Sequence, residues 1–123
     1  ADEDDIIFTG NTTHGMNICA QGIEWKEGDN VVIPASEFPS LAYTWFNLTQ
    51  RGVEVRIVPF NGAGPNIATL VDAVDSRTRA VSCSAITWNT GSRPRSALRS
   101  LLLACGSRFS LQLRRPLLHP SVR

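Results

Sequence analysis

Apolar residues come in short blocks along this chain, separated by polar turns. The first block, Ile6 to Phe8, is three consecutive apolar positions and is expected as a strand. From Thr13 to Ile23 the apolar residues Met16, Ile18, Cys19 and Ile23 are compatible with one face of a helix. Gly28, Asp29 and Asn30 predict a turn before a second strand, "VVIPA". After "SEFPS", the segment from Leu41 to Gln50 carries Leu41, Thr44, Trp45 and Leu48 at helical spacing, and Gly52 closes it as a C-terminal glycine. Val53 to Pro59 is expected as a third strand, followed by the breaker stretch "NGAGPN". A short helix over Ile67 to Val74 and a fourth strand over Arg79 to Ile86 complete the pattern.

Strands thus alternate with helices, and their cores are runs of Val and Ile rather than strict apolar–polar alternation. That pattern predicts an α/β fold, a partial three-layer sandwich whose mostly parallel sheet is covered on both faces. Ligands of such sheets sit beyond the carboxyl ends of the strands. The loops to watch are therefore Thr9 to Thr13, Ala35 to Ser40 and Thr87 to Gly91.

Composition changes this picture at one place. The net charge of +1 hides a division: residues 1–91 hold all 11 acids against 5 bases (5 − 11 = −6), and residues 92–123 hold 7 arginines and no acid or lysine. A chain of 123 residues, 42% apolar, has room for one core. The expected division is one domain over 1–91 and an Arg/Leu/Ser-rich tail over 92–123. Cys19, Cys83 and Cys105 are widely spaced and each lies in an apolar context, which predicts buried free thiols in a reducing cytoplasm. No apolar run of membrane-spanning length and no charged-then-apolar leader is present, so the chain is expected to be soluble, without a membrane or nucleic-acid partner. His14 and His119 share no spacing that suggests a metal site, and no Gly-x-Ser-x-Gly elbow supports a hydrolase triad.

The stretch "GNTTHG" joins the first expected strand to the first helix. Helix starts leave amides without intrahelical partners and carry partial positive charge, which suits a phosphate. Gly10 permits a sharp turn, and the hydroxyls of Thr12 and Thr13 can donate to phosphate oxygens. The competing reading is that Asn11 or Thr12 only caps the helix. No Gly-Lys-Ser/Thr or Gly-x-Gly-x-x-Gly motif supports a nucleotide site.

Taken together, "IIFTGNTTHGMNICAQGIEWKEGDNVVIPASEFPS", "RGVEVRIVPFN" and "LVDAVDSRTRAVSCSAITWNTG" resemble the early large-domain segment of class V aminotransferase-fold enzymes. That group includes cysteine desulfurases and isopenicillin N epimerase-like proteins, and the resemblance runs from about Asp5 to Gly91. It implies pyridoxal 5′-phosphate as cofactor, residues 1–91 as a partial cofactor-binding large domain, an amino-acid substrate with desulfurase, epimerase or transaminase chemistry, and a homodimer. It also places Thr12 and Thr13 on the cofactor phosphate with His14 beside them, and Phe38 as the ring stacked on the pyridine. Without the resemblance, Phe38 reads equally well as a loop phenylalanine tucked into the core. Glu37 reads as a solvated cap or a pocket-facing carboxylate. Trp88 stands where desulfurases commonly carry an asparagine that reaches the cofactor ring, with Asn89 one position later.

Pyridoxal chemistry needs a lysine to hold the aldehyde as a Schiff base and a carboxylate to keep the ring nitrogen protonated. The one lysine, Lys26, sits in the polar turn "EWKEGD" and is not expected to serve. The chain is therefore expected to be a fragment, inactive alone, with no catalytic residue of its own. After Gly91 the resemblance stops, which together with the charge change suggests a shift of reading frame near that codon. The alternative function is a non-catalytic remnant or partner-binding module, whose basic tail would carry a helix over Ser96 to Cys105.

Overall fold

A computed structural model describes residues 6–35, 37–59, 67–84 and 86–92. The expected tail helix and Cys105 lie outside these residues, as does Ser36. Helix α1 (Thr12–Gly22) begins where Asn11, in extended backbone, accepts the His14 amide on its side chain. Met16 and Ala20, one turn apart, are its buried stripe. Strand β1 (Asn30–Pro34) is buried at every position. Helix α2 (Pro39–Phe46) opens on Pro39, whose missing N–H costs nothing in the first turn. It runs on as a 3-10 turn, Asn47–Arg51, that ends at Gly52 with φ of 77°. Strand β2 (Glu54–Val58), helix α3 (Ile67–Asp72) and strand β3 (Thr78–Val81) follow.

The sheet order is β2-β1-β3 and both pairings are parallel. Asn30 lies opposite Glu54 and Pro34 opposite Val58, while the β1–β3 register slips between Asn30 and Val31. Alternation along β1 divides two cores. Val31 and Ile33 pack with Met16, Ala20, Leu41, Trp45 and Leu48 beneath α1 and α2. Val32 faces the other way, with Val58, Leu70 and Val81 beneath α3. Helices therefore cover both faces, which is why β1 reads as an unbroken apolar run. The indole Nε1 of Trp25 donates to the Ala20 carbonyl at 2.7 Å and its ring meets Trp45 edge-on at 6.3 Å, joining the end of α1 to α2.

Two expectations are corrected. Ile6 to Phe8 forms no strand; all three residues are exposed, Phe8 completely. Both edges of β1 are already taken by β2 and β3, and residues 6–8 pair with neither outer strand. The strand expected over Arg79 to Ile86 ends at Val81. Ser82 still donates its amide to Val32 at 3.0 Å, but Ser84 turns its amide to a side chain instead of the ladder.

Candidate functional site

Parallel strands bring all their carboxyl ends to one side of the sheet, and the segments after β1 and β3 meet there. Ala35 closes the ladder by donating to Val58 at 2.9 Å. Two residues on, both oxygens of Glu37 are engaged by Ser84: the amide donates to Oε1 and the hydroxyl to Oε2, each at 2.6 Å. Phe38 stands at the N-cap of α2, its carbonyl accepting the amides of Leu41 and Ala42. Its ring meets Trp88 edge-to-face, with centroids 5.8 Å apart and planes at 80°. Neither ring is buried; Phe38 is 49% and Trp88 61% exposed. Phe38 is thus not tucked into the core, and an aromatic surface stands open at the end of the central strand.

The loop bearing Trp88 is closed on itself. Thr87 is buried and donates its amide to the Ser92 carbonyl at 2.9 Å, while the Gly91 amide returns to Thr87 at 2.8 Å. Asn89 is exposed on this turn. Cys83, two residues past β3, is a buried free thiol, pushed up to about 12 by burial and then by the Glu37 charge, so it stays protonated and unreactive at neutral pH.

Thr12, Thr13 and His14 form the first turn of α1, with Thr13 and His14 exposed and Thr12 half-buried. The capping reading holds for Asn11, whose Oδ1 accepts the His14 amide at 2.9 Å. Thr9 adds a bond from its hydroxyl to the Asn11 carbonyl at 3.2 Å. The amides and hydroxyls of Thr12 and Thr13 have no hydrogen-bond partner among the described residues. Gly10 does not use the left-handed region; among the described residues the glycines with positive φ are Gly28, Gly52 and Gly91. Among the described residues no hydrogen bond or ring contact joins the start of α1 to Phe38.

The first-turn hydroxyls and the open Phe38 ring fit a phosphorylated aromatic cofactor in two of its parts, and its covalent attachment is not met. Lys26 is exposed in the turn ahead of β1, its amide held by Asp29 at 2.8 Å. The five residues of β1 separate that turn from Glu37 and Phe38, roughly 16 Å at the rise of a strand. Glu37 was legible only as a carboxylate beside the expected ring; its partner lies 47 residues away and no local pattern marks it. Among the described residues there is no group of three or more His, Cys, Asp or Glu able to hold a metal, and no helix long and apolar enough to cross a membrane.

The pattern of the aminotransferase class-V family matches residues 1–98. An uncharacterized protein of Schizosaccharomyces pombe is 40% identical over 92 residues, 74% of this chain and 21% of that protein. A probable cysteine desulfurase of Methanothermobacter thermautotrophicus is 40% identical over 87 residues, covering 70% of this chain and 22% of its own length. Among solved structures, the cysteine desulfurase CsdA of Escherichia coli superimposes with a TM-score of 0.71 at 21% identity, over 83% of this chain and 27% of that one. A C-DES mutant with glycine covalently linked to its PLP cofactor gives 0.70 at 24% identity, over 84% of this chain and 28% of that chain. The chain thus spans about a fifth of the length of these curated relatives.

Proposed function

Because the chain belongs to the aminotransferase class-V family, we propose that it forms part of the cofactor-binding layer of a pyridoxal-phosphate protein acting on amino acids. The observation that carries this reading is the Phe38 ring, half-exposed at the carboxyl end of the central strand and braced by Trp88. In this reading Thr12 and Thr13 hold the cofactor phosphate through hydroxyls and first-turn amides, with His14 beside them, and Phe38 covers one face of the pyridine. The bound cofactor supplies an electron sink for charge developing at the α-carbon of an amino acid. Relatives named as cysteine desulfurases, and the structure titled as a complex of the cystine C–S lyase C-DES, support a sulfur-containing amino acid as the substrate class. The homodimer implied by the family resemblance belongs to the same proposal.

Lys26 stands at the opposite end of β1 from Phe38, which supports non-covalent binding and no catalysis by this chain alone. Titration of the 123-residue chain with pyridoxal phosphate, followed by absorbance, tests this. Binding is expected to persist in Lys26→Arg. The double variant Thr12→Val, Thr13→Val is expected to weaken it by roughly 10- to 100-fold, the loss of one or two hydrogen bonds to a charged group. Pyridoxal without its phosphate should bind the two forms alike. Equal binding of pyridoxal phosphate by both forms would remove the threonines from the site.

A further inference from the structure

The open Phe38 ring needs something to hold it. Between Ala35, the last residue bonded to a neighbouring strand, and the first turn of α2, the described backbone makes no ladder bond. What ties this segment down is the Glu37 carboxylate, with both oxygens taken by Ser84 at 2.6 Å. Ser84 lies three residues beyond β3 and four before Trp88, so the two segments that meet at the carboxylate meet again at the two rings. We propose that Glu37 is a positioning residue, whose paired hydrogen bonds to Ser84 set Phe38 against Trp88 and keep one face of Phe38 open to a planar ring.

Short bonds from an amide and a hydroxyl to one carboxylate fix its orientation as well as its position. Held in this way by Ser84, Glu37 acts on a ligand through Phe38. Two rings that are each half-exposed, on separate loops, do not define one geometry by themselves. The identity of the planar ring rests on the cofactor reading given above, whereas the clamp itself does not.

The experiment uses the full chain and two readouts. In spectra of 15N-labelled protein, the Trp88 indole signal is assigned from its loss in Trp88→Phe, and its displacement in Phe38→Ala defines the effect of the neighbouring ring. Glu37→Ala is expected to reproduce at least half of that displacement, Ser84→Ala less because the Ser84 amide stays in place, and Glu37→Gln less than Glu37→Ala. Pyridoxal phosphate affinity is expected to fall roughly tenfold in Glu37→Ala, but less than about twofold when Phe38→Ala is already present, since residues acting as one unit are not additive. An unmoved Trp88 signal in Glu37→Ala, or an equal loss of affinity in both backgrounds, overturns the positioning role. If Glu37→Ala fails to fold, Ser84→Ala decides the matter, and no displacement there overturns it. If the wild-type chain binds no pyridoxal phosphate, the cofactor reading fails while the indole signal still decides the clamp.

Discussion

Asn30 has no exposed surface, yet it is an asparagine at the start of the central strand. Its amide nitrogen donates to Asp75 at 2.9 Å, its side-chain oxygen accepts from the Thr78 hydroxyl at 2.7 Å, and its backbone amide donates to the Arg77 carbonyl at 3.0 Å. The Thr78 hydroxyl in turn accepts the Asp75 amide at 2.9 Å, so one buried side chain locks β1 to the turn before β3. Removing it leaves buried polar atoms without partners. Asn30→Ala is expected to lower unfolding free energy by about 2 kcal/mol, read by urea titration. By contrast, Arg77 is half-exposed and its ion pairs to Glu54 and Asp75 are 3.8 and 3.7 Å long. Arg77→Ala should cost less than about 0.5 kcal/mol in the same measurement, as exposed pairs do. Nothing local marks Asn30 as buried: between an aspartate and a valine, after a glycine, it reads as a turn residue. Its partners lie 45 and 48 residues away.

At the scale of elements, Gly52 is where the connection between α2 and β2 turns. Its φ of 77° is left-handed, and a Cβ there would approach Glu27 Cγ to 2.9 Å. Its amide also donates to Thr49 at 3.1 Å while its carbonyl accepts from Gly28 at 3.0 Å. Gly52→Ala combines backbone strain with a steric shift and is expected to cost about 1–2 kcal/mol, seen as a lower thermal midpoint. This glycine was legible because a helix pattern followed by Gly and a new apolar run has one local explanation. The helices, the parallel arrangement and β1 were legible for the same reason, since each pattern reflects residues close in sequence. Ile6 to Phe8 misled because three apolar residues record a tendency to be buried but not a partner, and a strand exists only by pairing. The end of β3 was missed because Glu37, from another loop, competes with the ladder for the Ser84 amide. Thr12, Thr13, His14 and Phe38 could be singled out from the sequence only as candidates, and Trp88, whose ring meets Phe38, lies 50 residues later along the chain.

At the scale of the whole molecule, stabilising charge and candidate chemistry occupy opposite ends of the sheet. The amino-end cluster joins Arg56 to Glu54 at 3.1 Å and to Asp75 at 2.8 Å, and Arg56 also donates to the Ala73 carbonyl at 3.0 Å. The Asn30 amide, followed by the Arg77 backbone and Arg56, holds the Asp75 carboxyl well below its ordinary value. Arg56, through its hydrogen bond first and its charge second, lowers Glu54 as well. Both groups are therefore more acidic folded than unfolded. As pH drops through their ordinary values of 4.5 and 3.8, the unfolded chain takes up protons first and the folded state loses its advantage. Thermal stability is expected to be nearly level from pH 6 to 8, to fall from about pH 4.5 downward, and to keep falling toward the depressed folded values. The variant Asp75→Asn should be less stable at neutral pH but lose less on acidification, so that the gap between the two melting curves narrows below about pH 4 and closes only as pH falls through the depressed folded value. Parallel pH profiles for the two proteins would assign the acid sensitivity to other carboxylates. Convergence would place it at the amino end of the sheet, away from Phe38 and Trp88, and leave the candidate site free to be titrated on its own.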